Sequence, residues 1–240
     1  NLDFLIPIEV LGDFSAGIFI VDYKKLQKEI FMKTRQEIKA LAKQSFSENY
    51  WVCVGATLLA FVVIGAASGV TSFVGGLGGL IVWAPMMVGL QFFSLWIYRG
   101  ELPAPTIEDM FKTGFSDFGR KLGGMLWMEL FIFLWSLLFV VPGIIKALAY
   151  SFTPYILAEY PNVPATEAVK ISMRMTQGHK GEIFMMSLSF LGWFLLNGFT
   201  FGILGIFYVN PYFYVSVAGQ YQDLKELALQ NGVVSLDELA

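Results

Sequence analysis

A chain of 240 residues that is 56% hydrophobic and 15% charged, with a mean hydropathy of +0.62, falls well short of the roughly 25% charge of a soluble domain. Its apolar residues gather in long runs, which points to a membrane rather than one oversized core. The net charge of −3 without a basic footprint excludes a nucleic-acid-binding domain, and a lone cysteine, Cys53, and a lone histidine, His179, exclude an intrachain disulfide and the usual zinc ligand sets.

Residues 1–31 read unlike the rest. "FLIPIEVLGDFSAGIFIV" is interrupted by Pro7, Glu9, Gly12 and Asp13, so it makes a poor span, and it lacks the basic leader of a signal peptide. Lys28-Glu29 can be encoded AAGGAG, a ribosome-binding sequence two codons ahead of Met32. Met32 is therefore the expected natural start, and residues 1–31 are expected to be a non-native or poorly structured extension. An amphipathic helix pattern, "KTRQEIKALAKQSF", follows the methionine.

Six segments then qualify as spans, at 50–70, 73–98, 124–141, 144–160, 183–197 and 203–220. Turn formers separate the partners: Ser68-Gly69, Gly75-Gly76, Pro142-Gly143, and Asn197-Gly198 through Gly202. The fourth segment is short and carries Lys146, Ser151 and Thr153, so it reads as either crossing or re-entrant. The expected fold is all-α: a polytopic membrane helix bundle of six transmembrane helices as three hairpins, with cytoplasmic interfacial amphipathic helices. Residues 32–230 form the membrane domain and 231–240 a cytoplasmic tail.

Basic residues set the orientation. Fifteen of the sixteen lie before the first span, between spans two and three, between four and five, or after six, which places both ends in the cytoplasm. Lys146 is the exception. The spans put it on the outer side, in the first turn of a helix, where the dipole disfavours a cation. Snorkelling to the outer headgroups accommodates it; the sharper alternatives are a bound anion or a helix C-terminal partner.

Before each hairpin stands a charged helical segment: "TRQEIKALAKQSF", "PTIEDMFKTGFSDF" and "PATEAVKISMRMTQGHK". Each places an acid just ahead of a lysine (Glu37 and Lys39, Asp109 and Lys112, Glu167 and Lys170), and the second helix of each hairpin holds a proline, Pro85, Pro154 or Pro211. Three units of interfacial helix, span, turn and proline-bearing span account for this. The third segment reads as a cytoplasmic surface helix with an apolar face of Ala165, Val169, Ser172, Met173 and Thr176, lying on anionic lipid or docking a partner.

Proline in a span frees a carbonyl and kinks the helix. Ordinary kinks are one reading. The other is a shared cavity, with Tyr155 and Tyr212 offering hydroxyls to a ligand and Thr153 or Asn210 meeting the freed backbone. Glu129, the one acid inside a span, reads as a first-turn interfacial carboxylate or a proton or cation site, and Glu159 is placed to pair with it. "GGLGGL" at 75–80 lacks a P-loop's lysine and strand and reads as helix packing. No nucleophile–base pair, metal ligand set or nucleotide motif is present, so no catalytic residue, metal or cofactor is expected.

The stretches "PGIIKALAYSFTPYILAEYP", "EAVKISMRMTQGHKGEIFMMSLSFLGW" and "PYFYVSVAGQYQDL" resemble a bacterial membrane family catalogued as domain of unknown function 975 (DUF975), over most of residues 32–230. The resemblance implies that Pro142, Gly143, Lys146, Pro154, Tyr155, Gly178, Gly192, Trp193, Pro211 and Tyr212 belong to a family signature, and it implies no mechanism. Asn210 and "EYPNVP" depart from the pattern. The resulting expectation is a multi-pass bacterial plasma-membrane protein. Its first role is a non-enzymatic accessory or scaffold engaging the lipid bilayer, another membrane protein or a second copy. The alternative is a small transporter or lipid-handling protein, and a cavity between spans two, four and six would favour it.

Overall fold

The computed structural model describes residues 32–74 and 77–239, and every regular element among them is helical. In chain order these are α1 (Arg35–Glu48), α2 (Tyr50–Val70), a 3-10 turn (Ser72–Val74), α3 (Leu77–Arg99), α4 (Ile107–Phe115), α5 (Phe118–Leu138) and α6 (Val140–Tyr150). Then come α7 (Thr153–Glu159), α8 (Ala165–Met175), α9 (Lys180–Leu188), α10 (Leu191–Phe199), a π-helical turn (Gly205–Val209), α11 (Asn210–Gln230) and α12 (Leu236–Leu239). The expectation for residues 1–31 lies outside the described residues. Met32–Ala240 is one unit.

Local chemistry fixes the helix starts. Thr34 and Thr106 each accept a backbone N–H from an acid three residues on, and Glu37 and Asp109 bond back to the threonine N–H. These reciprocal caps satisfy amides that a helix otherwise leaves open. Glu167 holds the same place in α8, whose cap residue is Pro164. The recurrent acid of the three charged segments is therefore a helix-start residue.

Among the described residues five helical stretches are long and apolar enough to cross a membrane: Tyr50–Val70, Gly78–Arg99, Phe118–Leu138, Val140–Glu159 and Lys180–Phe199. Two of the boundaries that differ from expectation bear on the candidate residues. The third stretch begins at Phe118, not at 124, so Glu129 lies about three turns inside it. The fourth begins at Val140, because the chain turns at Phe139, which is extended (φ −157°, ψ 145°). Pro142 then falls in the first helical turn, which tolerates its missing N–H. Gly143 lets α6 approach α5, since a Cβ there would strike Ser136. The stretch 203–220 is helical, but Asn210, Pro211 and three tyrosines dilute it, and the helix runs on to Gln230.

Packing is cyclic. The helix α4 lies on α3, α8 on α6 and α7, and α1 on α11. Each charged helix thus packs against the proline-bearing helix of the preceding unit, with α1 closing onto the last. At the α3–α4 contact Gly89 faces Met110 and Gly114 faces the Pro85 carbonyl, and neither site has room for a Cβ. Large exposed apolar side chains crowd α2, α5, α9, α10 and the first turns of α3 and α6. None is exposed in α3 beyond Ile81, in 146–183 or in 208–230. The proline-bearing helices therefore form the core of the bundle.

That packing corrects the reading of the third charged segment as a surface helix. Ala168, Val169, Ile171, Ser172 and Met175 are buried, and α8 runs back along α7 to the level of Ala149. Two bases counted as loop charges also serve the interior. Arg120 donates to the carbonyls of Leu157 (2.7 Å) and Val163 (2.8 Å), and buried Lys121 donates to the Thr113 carbonyl and to Ser116 Oγ (2.7 Å). Cations here satisfy carbonyls at helix C-termini. Residues 231–239 fold back as well: Val234 and Leu239 are buried, and Glu238 pairs with Arg174 at 2.8 Å.

Candidate functional site

Three proline-bearing helices respond differently to their prolines. Pro85 sits inside an uninterrupted α3, Pro211 follows the π-helical turn, and Pro154 follows a full break at Ser151-Phe152. Ser172 Oγ donates to the Ala149 carbonyl (2.9 Å) and accepts from the Phe152 N–H (3.2 Å), and the Thr176 hydroxyl, closest to the Ser172 carbonyl (2.9 Å), lies 3.2 Å from that of Ala149. The hydroxyls of α8 thus close the break. The expected partners, Thr153 and Asn210, do not: Thr153 Oγ1 is buried without a partner, and the Asn210 side chain makes no hydrogen bond among the described residues.

Lys146 is not isolated from the other bases. It shares a pocket of about 650 Å³ with Lys170, Arg174 and Lys180, so it is not a bilayer's depth away from them. The helix α8 has been drawn back along α7, and its cations come with it. The Lys146 ammonium rests over the rings of Trp135 (5.2 Å) and Tyr150 (5.7 Å), within cation–π range. Glu167 pairs with Lys170 at 3.0 Å and Glu238 with Arg174, but Lys146 and Lys180 have no carboxylate partner among the described residues. The pocket is electropositive, and Ile144 and Ile145, both 44% exposed, adjoin Lys146 in sequence.

A second cavity, about 420 Å³, lies between α3, α6, α7, α9 and α11. No charged residue lines it. Gln91, Tyr155 and Gln220 are among its lining residues, and their Oε1, Oη and Oε1 atoms are buried without a hydrogen-bond partner among the described residues. Tyr155 is fully buried and Gln220 4% exposed. An unpaired buried polar group costs about 1–3 kcal/mol, so three around one space is unusual. Tyr155 is among the residues that line this cavity. Tyr212 is elsewhere, its hydroxyl donating to the Lys39 carbonyl (3.2 Å) and its ring packed on Phe190.

The third polar cluster is closed. Glu159, at the end of α7, takes hydrogen bonds from Arg99, Tyr221 and Lys225, the last at 3.2 Å. Arg99 also reaches Gln222 Oε1 at 2.7 Å. Burial lowers the Lys225 pKa, with Glu159 opposing, and burial, then Glu159, raises that of Tyr221. The network joins the ends of α3, α7 and α11. It also removes Glu159 as a partner for Glu129, which lies on the far side of α5, exposed, in a groove with Ile64, Leu80 and Trp83.

Sequence reasoning passed over Gln91, Gln220, Tyr221 and the Arg99–Glu159 pair. A glutamine inside an apolar run, as in "VGLQFF", was the available signal. Among the described residues no group of three His, Cys, Asp or Glu is placed to hold a metal.

The family model described as "Protein of unknown function (DUF975)" matches residues 130–228, the family that the sequence resembles. The match is narrower than the span read from the sequence; it takes in Lys146, the α6–α7 break, Tyr155 and Gln220, and leaves out α3 with Gln91. No curated protein and no solved structure matches the chain.

Proposed function

We propose that this chain is a multi-pass protein of the bacterial plasma membrane that engages anionic lipid without carrying out covalent chemistry, in an accessory or scaffold role. The observation that carries the reading is the basic pocket, in which two cations without carboxylate partners adjoin exposed apolar helix. Anionic headgroups attract clustered bases there, at about 1 kcal/mol for each lysine or arginine near the surface. Six spans arranged as three hairpins, with both ends of residues 32–239 in the cytoplasm, are the reading that the fifteen bases other than Lys146 support. The sixth span is the helix 203–220, whose polar residues face the bundle rather than lipid. Another membrane protein or a second copy is the natural partner for the exposed groove at Glu129.

The uncharged cavity between α3, α6, α7 and α11 favours the second reading, transport or lipid handling, because it lies between spans two, four and six. Native mass spectrometry of the full chain, released gently with phosphatidylglycerol and phosphatidylcholine present, tests the first. Phosphatidylglycerol is expected to be retained preferentially, and to be lost in Lys146→Gln and Lys180→Gln but not in Lys43→Gln, an exposed base outside the pocket. Equal retention in all four proteins refutes lipid engagement at this pocket.

A further inference from the structure

We infer that the cavity bounded by Gln91, Tyr155 and Gln220 is a binding site for an uncharged, polyhydroxylated group, such as the glycosyl headgroup of a neutral lipid or a free sugar. The site faces away from the basic pocket. Ile144, Ala147, Leu148 and Ser151 line the cavity while Lys146 and Ala149 line the pocket, so the two occupy different faces of one helix. The inference therefore does not depend on lipid engagement at Lys146.

The chemistry of the wall selects the ligand. A charged group would enter a space with no counter-charge, at heavy desolvation cost. A purely apolar group would leave three buried polar atoms unpaired. A hydroxyl both donates and accepts, as a phenol does, and a side-chain amide presents oxygen on one side and NH₂ on the other. Ser151, Ser187 and Tyr214 add hydroxyl-bearing side chains to the same wall. About 420 Å³ lies within the roughly 300–1,000 Å³ of small-molecule sites. Phe213, Tyr214 and Tyr155 supply aromatic surface for the carbon face of a sugar ring.

Access favours the lipid-borne form. Ile144 and Phe184 line the cavity and are each 44% exposed, so it reaches the apolar surface where α6 and α9 pack together. A headgroup could sit among the amides while its chains follow that surface.

The test uses the purified full chain in a detergent without a sugar headgroup, with four probes: glucosyl-diacylglycerol, diacylglycerol of the same chains, phosphatidylglycerol and glucose. Native mass spectrometry is expected to show glucosyl-diacylglycerol retained over diacylglycerol. Gln220→Leu and Tyr155→Phe are each expected to lower that retention about five-fold, the loss of one hydrogen bond, while Gln44→Leu on exposed α1 does not. Tyr155→Phe removes an oxygen without a hydrogen-bond partner among the described residues, so an unchanged unfolding temperature separates lost binding from lost fold. Displacement by glucose assigns the site to a free sugar, and resistance to glucose assigns it to the lipid headgroup. Equal retention of glucosyl-diacylglycerol and diacylglycerol, or undiminished retention in both cavity variants, overturns the proposal. Loss of phosphatidylglycerol in Lys146→Gln bears only on the basic pocket.

Discussion

Tyr155 and Tyr221 stack face to face, with ring centroids 4.6 Å apart and planes 13° from parallel, and both are fully buried. Their hydroxyls have opposite fates. That of Tyr221 donates to Glu159, inside a network that also holds Arg99 and Lys225. That of Tyr155 meets no partner and borders the uncharged cavity. One side of the pair is closed polar structure joining three helices; the other is a buried hydroxyl without a hydrogen-bond partner among the described residues. Burial alone does not separate the two hydroxyls, whereas satisfaction of their hydrogen bonds does.

Breaking the closed side has the largest expected effect. Glu159→Ala leaves Arg99 and Lys225 facing each other with their shared carboxylate gone. Removing one partner of a buried pair costs on the order of 3–5 kcal/mol, and the Glu159 side chain is only 9% exposed. The expected result, read by thermal unfolding in detergent, is a protein that unfolds far below the wild type or fails to accumulate. A wild-type melting temperature would show that the network contributes no stability.

The stacked pair gives the sharper contrast, since the same chemical change is made on each ring. Tyr221→Phe removes a donor to a buried carboxylate, worth about 1.5–3 kcal/mol. Tyr155→Phe removes a hydroxyl with no protein partner and is expected to be neutral or slightly stabilising in the unliganded protein. Side-by-side unfolding of the two variants checks this, and equal losses would abolish the distinction between the two polar regions.

The sequence made the helices and their apolarity legible, because length and hydropathy are local properties. It also showed the recurrence of Glu37, Asp109 and Glu167, now seen as helix-start residues. Where each charged helix docks was not legible. The face of α8 that reads as lipid-binding is buried against α5, α6 and α7. That displacement moved Lys146 from an expected outer position to a pocket shared with Lys170, Arg174 and Lys180. Of the candidate residues, Tyr155 lines the uncharged cavity, while Tyr212, with the same Pro-Tyr signature, belongs to the contact with α1. Pairwise motifs cannot separate these two, because long-range packing decides which hydroxyl finds a partner.

The smallest contrast applies the same logic at the helix break. Ser172 Oγ and Thr153 Oγ1 are both buried hydroxyls near Phe152, one bonded at both its donor and its acceptor and the other unpartnered. Ser172→Ala removes the serine partner of both the Phe152 N–H and the Ala149 carbonyl, with the Thr176 hydroxyl 3.2 Å from that carbonyl but closer to the Ser172 carbonyl. One orphaned buried amide costs about 1–3 kcal/mol, and the expected loss falls within that range. Thr153→Val keeps the shape and removes only an unpaired oxygen, so it is expected to leave stability unchanged or raised. Hydrogen exchange at Phe152 reads the difference directly: faster exchange in Ser172→Ala alone supports closure of the break by α8, whereas equal exchange in both variants would mean that the break holds without the serine. Since α8 also carries Lys170 and Arg174, loosening this joint is expected to weaken the basic pocket before it disturbs the Glu159 network.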